Sequence, residues 1–440
     1  MVDNYFNEKM ERLSKTDLEK IQSERFARTI RNAAEKSPYY ARAFKNSGVD
    51  TRDLNSIKDL RKAKFFTTKE DLRTNYPYGF LAVPRNQVAE MHATSGTTGT
   101  PTLGLHTAKD LNDWAEISAR SLTMAGLTKD DVFQITPSLG MFSGGFGFYH
   151  GARNLGCTVV PASSGFSKRQ ISYMLDFGTT MFSAIVSYSF RLAEIAKDMG
   201  IDLRKDTRVR KGIFGSEIWT EETKKRIAQI WDLDPFDVYG FTELYGPGVG
   251  NDCRLHEGIH IWQDYFLVEV VDPKSGEPVD PEEDGELVFT TLAKEAMPLI
   301  RYRSRDIAAF LDSMSCDCGR THNRFSEIKG RTDDMLKISG INFWPSEVER
   351  LLLKNPELGS EFTINVRRVA SMDHVEINVE SVEKISEEKK KDLTTKLIYE
   401  MKEMLLFSPT VIIVDPNSLP RTDIGKSKRV TDDRRTGEAS

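Results

Sequence analysis

The chain has 440 residues, with 61 lysines and arginines against 66 aspartates and glutamates, and a formal net charge of −5. That balance excludes a dedicated nucleic-acid binder, and a composition of 39% apolar and 29% charged residues excludes disorder throughout. No run approaches the roughly 18 apolar residues that span a bilayer, and the opening MVDNYFNEKMERL is too charged for a secretory signal, so a cytoplasmic protein of two or three domains is expected.

In chain order, Leu18, Ile21, Phe26, Ile30 and Ala33 recur at helical spacing between Asp17, a candidate cap, and Ser37-Pro38, which predicts an amphipathic packing helix. Short apolar runs then alternate with helical patterns: Val132–Ile135 before a loop, Cys157–Val160 before Lys168–Phe177, and Met181–Ser187 before Phe190–Asp198. Such alternation predicts α/β layering with largely parallel strands. Between Phe266 and Phe289 the texture turns strand-rich, with Asp272-Pro273-Lys274-Ser275-Gly276 and Asp284-Gly285 as turns. Near Gly330-Arg331 it changes again. The remaining stretch reads as a small α+β domain: a helix start at Pro345-Ser346-Glu347, strands around Phe362–Val366, Val375–Val379 and Thr410–Val414, and a Lys/Glu-rich helix before the last. The predicted division is therefore a large domain over 1–332 and a small one over 333–440. Four cysteines make no disulfide scaffold; Cys157 sits in an apolar run, whereas the tight Cys316-Asp317-Cys318 pair suggests metal ligation.

Five motifs carry chemistry. Thr94-Ser95-Gly96-Thr97-Thr98-Gly99-Thr100-Pro101-Thr102 can wrap backbone and hydroxyl donors around a polyphosphate, because its glycines let successive amides turn inward. It is not the Gly-x4-Gly-Lys-Ser/Thr loop of other nucleotidases. In Tyr239-Gly240-Phe241-Thr242-Glu243 an aromatic can stack on a purine, while Thr242 and Glu243 can hold a phosphate-bound Mg²⁺, a hard ion that takes oxygen ligands. In Tyr302-Arg303-Ser304-Arg305-Asp306 a carboxylate at a strand end can accept both ribose hydroxyls. Gly330-Arg331-Thr332-Asp333 is a polar break, and Leu419-Pro420-Arg421-Thr422-Asp423-Ile424-Gly425-Lys426 leads into a basic stretch. Taken singly, each also reads as a solvated loop, an ion pair, a linker or a tail.

Their order is the stronger signal. Together they resemble the adenylate-forming superfamily of acyl-CoA ligases, and specifically the phenylacetate–CoA ligase family. The likeness extends through Phe142-Ser143-Gly144-Gly145-Phe146-Gly147-Phe148, Gly246-Pro247-Gly248-Val249, the run from Lys294 to Tyr302, Cys318-Gly319-Arg320-Thr321 and the run from Gly340 to Ser346. It implies an α/β fold with a large N-terminal domain of layered sheets and a small mobile α+β C-terminal domain carrying the catalytic lysine.

The resemblance further implies a two-step reaction: a carboxylate attacks the α-phosphorus of Mg-ATP to give an acyl-adenylate and pyrophosphate, and a thiol, that of coenzyme A, then displaces AMP. By position, Ser95, Thr97 and Thr98 would hold the β- and γ-phosphates. Gly215-Ser216-Glu217, Tyr239 and Gly240 would frame the adenine, and Asp306, with Arg331 nearby, the ribose. Thr242 and Glu243 would take the α-phosphate and Mg²⁺, and Lys426 would contact the α-phosphate and attacking carboxylate. Asp333 matches the hinge, and Ser339-Gly340 the loop that lets pantetheine pass. The phosphate loop departs from many relatives in carrying Thr102 where they have lysine, so no basic role is assigned inside it. An aromatic acid is expected in a slot lined by Phe142, Phe146, Phe148, Tyr149, Phe241 and Gly246. Structural Zn²⁺ is expected on Cys253, His260, Cys316 and Cys318, with His256 as the reserve ligand. The implied partners are small molecules, with neither nucleic acid nor membrane, and a homodimer is compatible. A stand-alone adenylation enzyme that passes its acyl group to a carrier protein or an amine, or adenylates a cofactor, would use the same first-step motifs. A purely regulatory nucleotide binder is disfavoured by the presence of Glu243, Asp306 and Lys426.

Overall fold

In the computed structural model, which describes residues 5–435 apart from 55, 63–64, 95–99, 312–315, 339–340, 370–371, 406 and 422–428, Ser14 and not Asp17 caps the first long helix. Its side chain accepts the Asp17 amide at 3.1 Å, so the helix runs Lys15–Lys36. Ser37-Pro38 ends it by starting another, Pro38–Ser47, because proline suits a first helical turn. Leu18, Phe26, Ile30 and Ala33 are buried, as their spacing predicts.

An eight-stranded sheet forms the centre of the large domain. Its order is Arg324–Phe325, Ile259–Ile261, Gly246–Asp252, Asp234–Phe241, Lys211–Gly215, Met181–Ile185, Val132–Ile135 and Thr158–Val160. The five strands from Asp234–Phe241 to Thr158–Val160 are parallel, and beyond Asp234–Phe241 the pairing becomes antiparallel. Burial on both faces explains why strands such as Met181–Ile185 read as unbroken apolar runs. Val186 and Ser187, expected to extend that strand, instead begin the helix Val186–Asp198; a short apolar run suits either state, and the eleven-residue amphipathic tail behind it decides. Cys157 is only half-buried, just ahead of Thr158–Val160.

A second, antiparallel sheet orders Phe266–Val271, Gly285–Thr291, Tyr302–Ala308 and Gly330–Arg331. A two-stranded hairpin, Glu90–Ala93 with Leu103–His106, frames the Ser/Thr/Gly loop. The apolar clusters of the large domain draw on residues between Phe26 and Phe325, whereas a separate cluster joins Leu336 to Ile413. That second core belongs to the sheet Thr410–Val414, Met372–Ser381, Leu358–Val369 and Val430–Asp432, backed by the helices Pro345–Leu353 and Glu387–Leu405. Among the described residues, no helix is long and apolar enough to cross a membrane.

Candidate active site

The parallel strand Asp234–Phe241 delivers Tyr239, Gly240 and Phe241 at its carboxyl end, followed directly by Thr242 and Glu243. Ligands of open α/β sheets gather at such strand ends. Glu243 is buried, and its Oε1 accepts the Thr102 hydroxyl at 2.8 Å and the Tyr302 hydroxyl at 3.3 Å, with Lys69 Nζ 3.6 Å away. All three contacts fall on Oε1, so Oε2 has no hydrogen-bonding partner among the described residues. A carboxylate oxygen is the kind of ligand a hard divalent cation takes. Thr242 Oγ1 lies 2.9 Å from the hydroxyl of Ser143, the first residue of the helix Ser143–Leu155.

The Ser/Thr/Gly loop closes on a double clasp. The Thr94 amide donates to the Thr102 carbonyl, and the Thr102 amide to the Thr94 hydroxyl, both at 3.0 Å. Thr102 therefore ties the loop to Glu243, and among the described residues a cation is supplied nearby by Lys69 from the helix Lys69–Thr74. Ser95, Thr97, Thr98, Ser339, Gly340 and Lys426 lie outside the described residues.

Asp306 and Tyr239 meet as well. The Tyr239 hydroxyl donates to Asp306 Oδ2 at 2.6 Å, and Arg331 Nη1 to Oδ1 at 2.8 Å. Burial and the neighbouring carboxylate push the Tyr239 phenol far above its ordinary range, so it stays a donor. Arg331 also holds Asp333, through Nε at 3.0 Å. Glu217 is engaged by Ser187, accepting its amide at 2.8 Å and its hydroxyl at 2.9 Å, while the neighbouring Ser216 is exposed with φ of +69°, and Gly215 packs against the Val238 carbonyl.

The expected slot residues divide between two faces of the helix Ser143–Leu155. Phe146 packs toward His92, ring centroids 5.1 Å apart. Phe148 does not face the slot: it is buried against Phe133 in the sheet core, and Tyr149 packs beside it. Residues two apart on a helix point about 200° away from each other, so Phe146 and Phe148 cannot share a wall. Phe142 is exposed just before the helix. Gly246 has φ of +122°, and a Cβ built on it would stand 2.5 Å from Trp114 Cζ2; one on Gly147 would stand 2.7 Å from Trp114 Nε1. Buried Trp114 thus fills the space beside both glycines. Its Nε1 donates to the Pro247 carbonyl at 3.1 Å.

Lys294 is a further site residue that no motif assigned a role. It is fully buried, and its ammonium donates to the carbonyls of Glu243, at 3.0 Å, and Leu244. Burial pushes its pKa down to about 7, against the upward pull of Asp110 and Glu243.

At the other end of the strand Gly246–Asp252, roughly 20 Å along at about 3.3 Å per residue, Cys253, His260, Cys316 and Cys318 converge. All four are buried, and their ligand atoms lie within 4.8 Å of one another. Cys253 Sγ and Cys316 Sγ are 3.7 Å apart, and Cys318 Sγ and His260 Nε2 3.5 Å. Tetrahedral coordination with sulfur at about 2.3 Å and nitrogen at about 2.0–2.1 Å sets edges of about 3.7 and 3.5 Å, so the residues fit Zn²⁺. His260 Nδ1 donates to the His322 carbonyl at 3.2 Å, which aims Nε2 at the sulfurs. His256, the reserve ligand, is spent elsewhere: its nitrogens pair with Asp252 at 2.8 Å and Asp234 at 2.9 Å.

Three comparisons with known proteins agree with this geometry. The model of the family described as AMP-binding enzyme matches residues 24–292, and that of the AMP-binding enzyme C-terminal domain residues 340–434. The phenylacetate-coenzyme A ligase of Aromatoleum evansii is 42% identical over 433 residues, 97% of each chain. The enzyme of the same name from Escherichia coli (strain K12) is 38% identical over 437 residues, 98% of each. A 2-hydroxyisobutyryl-CoA ligase, solved in the postadenylation state with a bound adenylate, superposes with a TM-score of 0.91 at 26% identity, covering 98% of this chain and 93% of that one. In its thioesterification state, with CoA, the TM-score falls to 0.71 at 27% identity over the same shares. The two domains here are accordingly arranged more nearly as in the former.

Proposed function

The chain belongs to the phenylacetate–coenzyme A ligase family of AMP-binding enzymes, and on that premise we propose that it is an ATP-dependent, AMP-forming ligase that joins an aromatic carboxylic acid to coenzyme A. The observation that supports the reading is that Thr242, next to Glu243, meets Ser143, which packs with Trp114 against Gly246.

The acid's carboxylate oxygen attacks the α-phosphorus and pyrophosphate leaves; the thiolate of CoA then attacks the acyl carbon and AMP leaves. In the first step two anions are forced together, so its barrier is chiefly electrostatic. Ser95, Thr97 and Thr98 would hold the β- and γ-phosphates, and Thr242 the α-phosphate. Glu243, through Oε2, would hold Mg²⁺, which when bound neutralises phosphate charge. Lys426 would approach the α-phosphate and the attacking carboxylate. Asp306 would exchange its contacts with Tyr239 and Arg331 for ribose hydroxyls, and the segment Gly215-Ser216-Glu217, with Tyr239 and Gly240, would border the adenine. Rotation about Asp333 would withdraw Lys426 and bring Ser339-Gly340 to the site for the thiol. Cys253, His260, Cys316 and Cys318 would hold a closed, structural Zn²⁺, which contributes folding free energy.

Pyrophosphate release with a panel of acids, with and without CoA, tests the reading. Phenylacetate-like or benzoate-like acids are expected to exceed acetate and long-chain acids, acyl-CoA is expected to form, and Lys426→Ala is expected to abolish adenylation while sparing thioester formation from pre-made acyl-adenylate. A kcat/KM for hexanoate above that of every aryl acid overturns it.

A further inference from the structure

The turn that presents Thr242 and Glu243 is held by a buried cation. It leaves the strand Asp234–Phe241 and closes where the Leu244 amide donates to the Phe241 carbonyl at 3.1 Å. The carbonyls of Glu243 and Leu244 both accept from the Lys294 ammonium, the former at 3.0 Å. The strand Leu103–His106 passes so near that a Cβ on Gly104 would stand 2.4 Å from the Thr242 carbonyl oxygen. Hydrogen bonds or close packing thus meet every carbonyl from Phe241 to Leu244. Lys294 is itself anchored. Asp110, fully buried in the helix Ala108–Met124, accepts the amides of Glu295 at 2.7 Å and Ala296 at 2.9 Å, so the residues directly after Lys294 are tied to that helix. The lysine side chain is a strut from this tied segment to the turn.

Burying an ammonium to hold two carbonyls is unfavourable in itself. Among the described residues Lys294 forms no ion pair: its charge meets carbonyl oxygens and the ring of Tyr245, 5.1 Å away, and burial pushes its pKa down. Apolar residues of similar volume often replace a buried charge with no loss of stability, so packing alone does not call for a lysine here. What the lysine adds is the pair of hydrogen bonds that fixes the turn. That turn carries Glu243, whose Oε1 is committed to Thr102 and Tyr302, and Thr242, whose hydroxyl meets Ser143. A shift of its main chain would move both side chains together. Building on the aryl-acid ligase reading, we propose that Lys294 is a positioning residue of the adenylation step, which acts through the turn to hold Thr242 and Glu243 in place for the α-phosphate and its Mg²⁺. Groups that orient a metal-binding side chain from outside the coordination sphere account for about 10–100-fold in metal affinity or activity.

The test measures MgATP binding by calorimetry without acid, and pyrophosphate release with phenylacetate, for the wild type, Lys294→Met and Lys294→Gln. Lys294→Met keeps the bulk and loses both hydrogen bonds. It is expected to raise the Kd for MgATP by about fivefold or more and to lower kcat/KM for MgATP by about tenfold or more. The KM for phenylacetate should move less than about twofold, and the melting temperature at pH 7 should not fall. Lys294→Gln, which restores N–H donors without the charge, is expected to recover part of the loss. MgATP binding and kcat/KM equal to those of the wild type in both folded variants overturn the inference. So does a loss shared equally by MgATP and phenylacetate together with a lower melting temperature, the mark of a merely structural lysine. Should Lys294→Met not fold, Lys294→Gln decides by the same split between the two substrates. If the wild type binds MgATP but releases pyrophosphate with no aryl acid, the ligase reading fails, while the calorimetric comparison still decides the role of Lys294.

Discussion

Arg421 of the small domain reaches across to Glu194 of the large one, Nη2 to Oε1 at 3.0 Å, while holding Glu380 of its own sheet at 2.7 Å. It is the last described residue before the stretch that carries Lys426, so the bridge anchors the root of that stretch on the large domain. Glu194 is about one-third exposed, and such a pair contributes about 0.2–1 kcal/mol. Glu194→Gln is therefore expected to slow pyrophosphate release by no more than about fivefold, and to leave thioester formation from pre-made adenylate unchanged. Arg421→Ala also strands the nearly buried Glu380 carboxylate and should lower the melting temperature as well. Calorimetry beside separate half-reaction assays distinguishes the two variants; equal slowing of both half-reactions by Glu194→Gln would count against the anchor.

The cysteine–histidine cluster is expected to bind about one Zn²⁺ per chain. Elemental analysis of protein purified without chelator checks the stoichiometry, and its absence sinks the assignment. Cys318→Ser should lose the metal and lower the melting temperature, since binding free energy at such a site is folding free energy. Pyrophosphate release per folded molecule should persist, because the cluster and Gly246 occupy opposite ends of one strand.

The buried ammonium of Lys294 makes stability depend on pH in a definite direction. Its ordinary pKa is 10.5 and its folded pKa about 7, so between those values the unfolded chain binds more protons than the folded one. Stability from this group thus rises with pH across that window, and its cost is complete below about pH 7. Asp110, Glu243, Tyr245, His106 and His92 are the titratable groups that face it among the described residues. The melting-temperature difference, wild type minus Lys294→Met, should grow from pH 7 to pH 10. A flat difference would show that the amine is already hydrated.

Asp333 accepts two hydrogen bonds from Arg331, at 3.0 and 3.2 Å, three residues before the second core begins to form near Leu336. A hinge absorbs its change in φ and ψ at a few such positions, and proline fixes φ. Asp333→Pro is expected to keep pyrophosphate release and lose most acyl-CoA formation. Equal retention of both half-reactions by folded protein would falsify the hinge.

Much of this was legible along the chain because it is local. The helix Lys15–Lys36, the alternation from Val132 to Asp198 and the small α+β domain follow from periodicity, which burial imposes residue by residue. Thr242 and Glu243 stand out because they end a strand. Lys69, Trp114, Glu194 and Lys294 do not, since each meets its site only through contacts about fifty or more residues away in sequence, or through the packing of a helix whose pattern reads simply as core. Phe148 reads as a slot residue from its aromatic character and its place in the run Phe142–Tyr149, and the 3.6-residue turn carries it to the side away from Phe146.

Trp114, wedged under Gly147 and Gly246, also bears on how substrate range can drift among descendants of this chain. Two main-chain surfaces clamp the indole, so no rotamer change of a neighbouring side chain widens the slot. Replacing either glycine forces an overlap that the indole, bonded to Pro247, cannot relieve. Acceptance of bulkier acids therefore has one opening move, truncation of Trp114.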